Sequence, residues 1–339
     1  MAARTTQAHK YVLVGAGNVG RSLVKDILVA GKRLNTSLAA IIDPDSTKAR
    51  PFYQLVGEKV PTFSSLEQFK KEFEGPCDFA LVTVPAQIRV EMVMKLLDSG
   101  MHCLVEKPLA FSAREAQMIR EKARNKGRHV QVILPQRWTL AHLWRDFKPN
   151  KGPWTLNSIR TGPFVPRASD VDIVFDYVVS DIDMFVLLDE VYGFSPIKGI
   201  RSWGRKVRSN FYDWMSLAIE LENGGIFRFF ASRLSTTSMH TWEITGPQWH
   251  GTMDFRRETF QRFCKVGGSL NAFDATSKSG QAGLPIELEL MTFFSSIKNG
   301  VYRGKYDLKE ISTLGVKSRS VIRTHEIIDE ILKVMKVVE

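Results

Sequence analysis

The sequence has 339 residues, enough for two domains with separate hydrophobic cores. Hydrophobic residues make up 44% and charged residues 24%, as in ordinary globular proteins, and no apolar stretch reaches the roughly 18 residues of a membrane-spanning helix. The net charge of +11 is spread along the chain, whereas nucleic-acid-binding proteins usually concentrate basic residues on one element. We therefore expect an anionic small molecule as partner, and neither a nucleic acid nor a membrane.

Two further features concern the location of the protein. The first ten residues have no apolar core, so we expect residues 1–10 to be a disordered lead-in and not a secretory signal. The three cysteines are widely spaced and form neither a metal-binding pattern nor a disulfide framework. We therefore expect a cytoplasmic protein without a metal site.

Residues 11–134 alternate short apolar runs with stretches of helical spacing. The predicted strands cover residues 11–14, 37–43, 77–85, 102–108 and 129–135. The predicted helices cover residues 21–31, 65–73, 88–100 and 112–127. Because strands alternate with helices, residues 11–134 are predicted to form a Rossmann domain with a doubly wound parallel sheet.

After residue 135 the pattern changes to successive strands, separated by turns that contain glycine, proline and asparagine. A helix over about 176–190 is predicted ahead of these strands, and helices over 286–298 and 322–337 are predicted after them. Residues 275–285 are predicted to be a surface loop. We expect residues 135–339 to form an α+β domain with a large, mostly antiparallel open sheet.

A glycine motif follows the first predicted strand. Gly15, Gly17 and Gly20 form G-x-G-x-x-G, with Asn18 and Val19 between them, at the start of a helix. The first glycine makes the tight turn, the second lets the backbone approach a pyrophosphate, and the third lets helix and strand pack closely. Because the helix N-terminus faces the anion, the motif predicts dinucleotide binding.

An acidic residue supports this prediction and indicates which dinucleotide binds. Asp43 ends the second predicted strand, about 20 residues after the glycine motif. Its carboxylate can accept hydrogen bonds from the adenosine ribose and would repel a 2′-phosphate, which favours NAD over NADP. Lys48 and Arg50 lie nearby in sequence and could weaken that preference.

The sequence "LLDSGMHCLVEKPLA" carries an E-K-P motif at Glu106, Lys107 and Pro108. Together with the glycine motif, "VTVPAQ" at 82–87 and "DYVVSDID" from Asp176, it resembles the Gfo/Idh/MocA family along nearly the whole chain. These proteins, glucose–fructose oxidoreductase and inositol dehydrogenase among them, transfer hydride between a sugar hydroxyl or ketone and nicotinamide. The resemblance thus implies an NAD-dependent dehydrogenase.

The resemblance also implies roles for individual residues. Lys107 would lie beside the nicotinamide and the substrate hydroxyl, and the Lys107–Pro108 bond is often cis in relatives. The remaining residues expected to line the dinucleotide are Thr83, Val84, Pro85, Glu106 and Pro108.

One position departs from the family pattern. The second family motif is commonly D-x-x-x-H, and Asp176 matches its aspartate while Ser180 stands at the histidine. Serine cannot remove a hydroxyl proton at neutral pH without a base of its own. Lys107 could act as the acid/base, because burial beside a cationic ring favours its neutral amine. Alternatively, Asp176 or Asp181 accepts the proton, or efficient chemistry has been lost.

We assign Lys107, Asp176 and Ser180 as the catalytic residues, with Lys107 as the main proton carrier. Some relatives use a tyrosine in place of the histidine, and Tyr177 lies three residues before Ser180 in this sequence. A further departure is Arg89, where many family members have histidine, and we expect a solvated helix residue there.

Residues 219–255 resemble, more loosely, a subgroup of bacterial nucleotide-sugar dehydrogenases. Some of these oxidise C3 of UDP-N-acetylglucosamine for lipid A or surface-glycan biosynthesis. A diphosphate needs cationic donors, and Asp183 shares a helix face with Asp176 and Ser180 by sequence spacing. The residues expected to bind substrate are therefore Arg137, Arg160, Arg167 and Asp183.

Two alternatives remain open. The first is a dehydrogenase or ketoreductase of the same fold that acts on a free sugar, an inositol or an imine. The second is a non-catalytic regulatory protein that senses the dinucleotide, which the serine at position 180 keeps open. In either case the large open sheet, which relatives bury against another subunit, implies a homodimer or homotetramer.

Overall fold

The computed structural model describes residues 9–144, 152–166, 170–266, 269–276, 284–298 and 318–338. The chain separates into two compact units. The first unit comprises Met1–Ala110, Arg114–Pro135 and Gln281–Ser318, and the second comprises Phe111–Ala113, Gln136–Gly280 and Arg319–Glu339. The chain therefore returns to the first unit near its C-terminal end, whereas the sequence predicts a single crossing near residue 135.

The first unit contains a parallel sheet of six strands in the order β3-β2-β1-β4-β5-β6. The strands are β1 His9–Val14, β2 Thr36–Ile42, β3 Thr62–Phe63, β4 Phe79–Val82, β5 His102–Glu106 and β6 Val130–Ile133. The strand order reverses on either side of β1, as in a doubly wound sheet. The predicted Rossmann architecture is confirmed. Its two-residue strand β3 was not predicted, because so short a run carries no pattern.

Helices connect these strands: α1 Asn18–Leu34, α2 Arg50–Val56, α3 Leu66–Glu72, α4 Ala86–Asp98 and α5 Ala113–Asn125. Ser65 caps α3, since its hydroxyl accepts a hydrogen bond from the Gln68 backbone N–H at 3.1 Å. Strand β1 begins at His9, inside the segment expected to be a lead-in, while residues 1–8 lie outside the described residues.

A helix from the C-terminal part of the chain completes the first unit. In α8, Leu284–Lys298, the ring of Phe294 stacks on His9 with centroids 4.0 Å apart, and Phe293 packs edge-on against Phe79. The fully buried Glu289 accepts hydrogen bonds from the Leu134 backbone N–H, at 3.1 Å to Oε2. This carboxylate thus binds the backbone at the end of β6, although Glu289 lies 155 residues after Leu134 in the sequence.

The second unit contains a nine-stranded sheet in the order β14-β13-β12-β11-β7-β10-β9-β8-β15. The strands are β7 Thr155–Thr161, β8 Ile197–Arg205, β9 Trp214–Leu221, β10 Ile226–Ser232, β11 Met239–Gly246, β12 Trp249–Asp254, β13 Thr259–Val266, β14 Ser269–Thr276 and β15 Met335–Val337. Only the β7–β10 and β8–β15 pairs are parallel among these strands. The mostly antiparallel second sheet is confirmed.

The second unit also contains α6 Pro135–Trp144, α7 Val179–Tyr192 and α9 Ser318–Lys333. Helix α6 was not predicted, and the strand β15 occupies residues expected to be the end of the last helix. Most of the predicted 275–285 loop, residues 277–283, lies outside the described residues. No helix within the described ranges is both long and apolar enough to cross a membrane.

Among the residues that the structure describes, only one face of the nine-stranded sheet is fully covered. Along β9 the buried residues alternate with partly exposed ones, starting with the buried Met215 and Leu217. Helix α7 packs on this covered face, where Phe185 meets Phe227 with ring centroids 4.9 Å apart. On the opposite face Ile159 is 41% exposed. This alternation is the one expected for an antiparallel sheet with a single packed face.

His102 gives the first unit a pH-dependent element. Its Nδ1 accepts a hydrogen bond from the His129 backbone N–H at 2.9 Å. Burial lowers the pKa of His102 to about 4, and the positive charge of Arg128 acts in the same direction. The pKa of His102 in the folded protein lies below the unfolded value of about 6.5. The stability that neutral His102 contributes to the fold is therefore fully present above pH 6.5 and is lost as the pH falls toward 4.

We therefore expect His102 to remain neutral at pH 5.5, where an exposed histidine is mostly protonated. The measurement is the NMR titration of ¹³C-labelled histidine side chains, with His102→Asn used to assign the resonance. In urea denaturation, the variant should also lose less stability than the wild type between pH 6.5 and pH 4.5. A His102 resonance with a midpoint near 6.5 would contradict the burial argument.

Candidate functional site

The glycine turn lies at the carboxyl end of β1. Gly15 has φ +96°, and a Cβ at this position would lie 2.8 Å from the backbone nitrogen of Val84. The backbone of the turn therefore touches the Thr83–Val84 backbone just after β4, which only glycine allows. Thr83 strengthens the contact, because its hydroxyl donates to the Gly15 carbonyl oxygen at 2.6 Å.

The other two glycines differ in their surroundings. A Cβ on Gly20 would lie 2.7 Å from both the Gly15 carbonyl oxygen and the Thr83 hydroxyl, so this glycine is needed for packing of the helix against the turn. A Cβ on Gly17 would meet no atom within 4 Å, and Asn18 and Val19 beside it are exposed. Open space at the N-terminus of α1 fits a pyrophosphate that approaches the backbone.

Asp43 is buried at the end of β2 and holds the glycine turn from the other side. Its Oδ2 accepts a hydrogen bond from the Ala16 backbone N–H at 2.8 Å, and Oδ1 accepts one from the Asp45 N–H at 2.9 Å. The Lys48 ammonium lies 3.5 Å from Oδ1. Because a carboxylate has more acceptor positions than these donors occupy, Asp43 can still bind a ribose hydroxyl.

The E-K-P motif ends β5, the neighbour of β4. The Lys107–Pro108 peptide bond is cis, and Glu106 and Lys107 are partly buried while Pro108 is buried. Arg89 lies in the first half of α4 and is only 5% exposed, so it differs from the solvated residue that we expected. Its guanidinium donates to the Pro108 carbonyl oxygen at 2.6 Å and to the Val84 carbonyl oxygen at 2.8 Å.

In the second unit, the D-x-x-x-S motif begins in a π-helical turn, residues Val174–Val178, that continues into α7. The Val179 backbone N–H bonds to the Val174 carbonyl, five residues back. The predicted alignment of Asp176 with Ser180 assumed α-helical spacing, and the wider turn changes it. Asp176 is partly exposed, whereas Ser180 is 1% exposed and its hydroxyl has no hydrogen-bond partner within the described residues.

Asp181 connects α7 to the sheet. Its Oδ1 accepts hydrogen bonds from Trp242 Nε1 at 2.7 Å, from His240 Nε2 at 3.0 Å and from the Ser158 hydroxyl at 3.0 Å. Burial acts to raise the pKa of Asp181, but His240, Arg160 and Trp242 outweigh it and lower the pKa to about 2. A carboxylate with so low a pKa is a weak base, which argues against Asp181 as the proton acceptor.

Arg160 lies beside this carboxylate. Its guanidinium donates to the Tyr177 carbonyl oxygen at 2.7 Å and lies 4.9 Å from the centre of the Tyr177 ring. A second contact of 3.5 Å joins it to Asp181. Burial raises the pKa of the Tyr177 hydroxyl, so this phenol is protonated at neutral pH. Arg160, which we expected to bind substrate, thus holds the π-helical turn against the sheet.

Arg137 and Asp183, also expected to bind substrate, bind each other. Arg137 Nε and Nη2 donate to the two Asp183 oxygens at 2.8 and 2.6 Å, and both side chains are at most 1% exposed. This paired geometry satisfies both charges and links α6 to α7. Sequence spacing placed Asp183 on a helix face but could not reveal that another helix supplies its partner. Arg167 lies outside the described residues.

A further buried ion pair, between Asp213 and Arg233, was not predicted from the sequence. Asp213 accepts hydrogen bonds from three successive backbone N–H groups, at Val207, Arg208 and Ser209, and from Arg233 Nε at 2.8 Å. These donors hold the pKa of Asp213 well below its usual range, despite burial. Residues 198–210 contain five basic residues and no acidic residue, and Asp213 lies just after this segment.

The two units thus offer different chemistry. The first presents an open helix N-terminus, the carboxylate of Asp43 and a lysine, all at the carboxyl edge of one parallel sheet. The second presents the partly exposed Asp176 and Tyr177 beside a network of buried charges. The described residues contain no group of three or more His, Cys, Asp or Glu side chains that could hold a metal ion.

Residues 9–134 match the model of an oxidoreductase family with an NAD-binding Rossmann fold. The match covers the six-stranded unit up to the end of β6. It confirms the predicted NAD-binding Rossmann domain, and NAD is the cofactor.

UDP-N-acetylglucosamine 3-dehydrogenase from Acidithiobacillus ferrooxidans is 22% identical to this chain over 259 residues, or 76% of this chain and 78% of that protein. Its crystal structure superposes with a TM-score of 0.76 at 20% identity and covers 97% of this chain and 98% of the other.

Two further solved structures share the fold. The WlbA dehydrogenase from Chromobacterium violaceum, in complex with NADH and UDP-GlcNAcA, has a TM-score of 0.73 at 14% identity, covering 97% of this chain and 94% of the other. Levoglucosan dehydrogenase, in complex with NADH, has the same TM-score and identity and covers 97% and 98%. At these sequence identities, the superpositions establish a shared fold.

The Arg137–Asp183 pair yields a test of its structural role. Arg137→Met leaves a buried carboxylate without its partner and should lower the free energy of unfolding by about 3–5 kcal/mol. The double variant Arg137→Met/Asp183→Leu removes both charges and should recover most of that loss. Urea denaturation of the two single variants and the double variant measures the coupling. A single variant as stable as the wild type would show that the pair is not structural.

Proposed function

Because residues 9–134 form an NAD-binding domain of the Gfo/Idh/MocA oxidoreductase family, we propose that the chain is an NAD-dependent dehydrogenase of a nucleotide sugar. The observation that carries the proposal is the carboxyl edge of the six-stranded sheet. There an open helix N-terminus, Asp43 and the E-K-P turn follow β1, β2 and β5 of the same sheet.

The substrate class rests on the relatives. A curated relative that matches three quarters of this chain is a UDP-N-acetylglucosamine 3-dehydrogenase, and a structure of the same fold binds UDP-GlcNAcA. We propose UDP-N-acetylglucosamine, oxidised at C3 for surface-glycan or lipid A biosynthesis, as the first substrate to test. Levoglucosan dehydrogenase shares the fold equally well, so a free sugar, an inositol or an imine is the alternative.

The cofactor site fits NAD by its own geometry. The open space beside Gly17 supports binding of the pyrophosphate there, and the remaining acceptor positions of Asp43 support binding of the ribose hydroxyls. The ammonium of Lys48, 3.5 Å from Asp43, offsets part of the negative charge that would repel a 2′-phosphate. We therefore propose a preference for NAD that is not absolute.

The family resemblance assigns to Lys107 the role of proton acceptor. When bound, NAD accepts the hydride that leaves the substrate carbon. Lys107 would take the hydroxyl proton as that hydride leaves, and Pro108 fixes the direction of the turn that carries it. Asp176 and Ser180 would position the hydroxyl, with Ser180 in the place of the family histidine. The low pKa of Asp181 removes one alternative acceptor and so supports Lys107.

The buried hydroxyl of Ser180 favours a second candidate function. A serine that is 1% exposed and has no hydrogen-bond partner within the described residues is poorly suited to catalysis. A protein with this feature could bind the dinucleotide without turnover and act as a regulatory sensor of it.

We also propose that the chain forms a homodimer or homotetramer through the uncovered face of the nine-stranded sheet. Paired residues of neighbouring strands place five residues in one row on this face, namely Trp203, Ser216, Phe230, Ile159 and Thr241. A row with so much apolar surface is more extensive than single exposed apolar residues require, and a second copy of the chain would cover it.

The unpaired thiols of all three cysteines fit the reducing cytoplasm that we propose as the location.

The first experiment follows the nicotinamide absorbance with NAD and UDP-N-acetylglucosamine, with other sugar nucleotides, free sugars and inositols in parallel. Lys107→Met should lower kcat by at least about a hundredfold and leave the NADH dissociation constant within about twofold, because the proton carrier is lost while the glycine turn is intact. Lys95→Met, which removes a half-exposed ammonium paired with Glu91 on α4, is the matched control and should leave kcat unchanged. Reduction with a free sugar alone would replace the proposed substrate, and NADH binding without any reduction would support the sensor.

The oligomer is tested by light scattering on a sizing column. The wild type should have the mass of a dimer or tetramer at micromolar concentration. Ile159→Lys should shift the mass toward the monomer, because it places a charge in the centre of the apolar row. Val29→Lys, which alters a more exposed valine on α1, should leave the mass unchanged. A monomeric wild type would rule out the proposed interface.

A further inference from the structure

Arg89 is a buried arginine whose charge is satisfied by main-chain oxygens. It lies on α4 and is 5% exposed. Its Nη2 donates to the Val84 carbonyl at 2.8 Å and its Nη1 to the Pro108 carbonyl at 2.6 Å. A buried guanidinium is costly without such partners, and these charge-assisted bonds are short and directional.

The two carbonyls belong to different loops at the same edge of the sheet. Val84 follows β4 and Pro108 follows β5, and the two strands are neighbours. Their ladder pairs Val82 with Val105, so both acceptors lie beyond the last paired residues. The planar guanidinium of Arg89 therefore links the loops after β4 and β5 by hydrogen bonds beyond the end of the sheet.

The position of these loops along the sheet indicates which half of the dinucleotide they contact. Asp43, the ribose-binding carboxylate, ends β2 on one side of β1, and Val84 and Pro108 lie on the other side. A dinucleotide binds across the point where the strand order reverses, with its pyrophosphate at the helix after β1. The adenosine half therefore lies toward β2 and the nicotinamide half toward β4 and β5.

We propose that Arg89 is a positioning residue for the nicotinamide half of the cofactor. It sets the distance between the Thr83–Pro85 segment and the cis Lys107–Pro108 turn, and thereby the place of Lys107. Two parallel donors of a rigid fork are needed to hold both carbonyls, and a lysine ammonium cannot replace them. The inference rests on the proposed function only in that the edge binds the dinucleotide, and it does not depend on the sugar substrate.

The test compares two ligands of the same site. NADH contains the nicotinamide ring, whereas ADP-ribose has the adenosine, the pyrophosphate and the second ribose but lacks that ring. For Arg89→Lys we expect the dissociation constant of NADH to rise about tenfold and that of ADP-ribose to change less than about twofold, because the loss is confined to one half of the site. Calorimetry gives both constants, and the emission of bound NADH reports the surroundings of the ring directly.

Two more variants complete the experiment. Arg89→Met removes both hydrogen bonds and should give a larger loss for NADH, with a changed emission spectrum. Lys95→Met alters a half-exposed ammonium on the same helix, paired with Glu91, and should bind both ligands as the wild type does. If Arg89→Met does not fold, the conservative Arg89→Lys variant still decides the question.

An equal loss of affinity for NADH and ADP-ribose would show that Arg89 stabilises the whole unit, and it would overturn the proposal. Unchanged affinity for both ligands would overturn it as well. Failure of the substrate panel affects only the proposed reaction, since both dissociation constants are measured without sugar.

Discussion

A parallel sheet leaves its strand ends unpaired at the edge where a dinucleotide binds, and three side chains hold those ends together in this chain. Asp43 joins the end of β2 to the glycine turn, Thr83 joins the end of β4 to the same turn, and Arg89 joins β4 to β5. Each contact ends on a backbone atom, so the edge keeps its shape whatever residues face the ligand. The close approach of Gly15 to Val84 is possible because these connections keep the neighbouring loops in place.

Buried carboxylates serve the second unit in a comparable way. Asp181, Asp183 and Asp213 each accept several hydrogen bonds, and each is paired with an arginine or a histidine. Such pairs specify one arrangement of helix and sheet, since a shifted helix would leave a charge without a partner. As a consequence, Arg137 and Arg160, whose charge would suit a diphosphate, bind carboxylates within the protein.

Much of the architecture could be predicted because strand and helix periodicity is local. The alternation of elements up to residue 134, the glycine motif and the E-K-P turn are all short patterns with strong constraints on the backbone. The partners of buried charges could not be predicted, since Arg137 meets Asp183 only after two helices pack, and Arg89 meets Pro108 only across two strands. Helix α6 was missed because its buried tryptophans and leucines resemble a strand run, and the π-helical turn was missed because a single inserted residue leaves no periodic signal.

The return of α8 to the first unit has a consequence for the order in which the protein can form on the ribosome. Strands β1 to β6 emerge early, yet the helix whose phenylalanines cover His9 and Phe79 is translated only after almost all of the second sheet. At typical elongation rates this helix follows on the order of ten seconds later. During that interval the nascent sheet has an apolar flank without its final cover, a natural place for a chaperone to act.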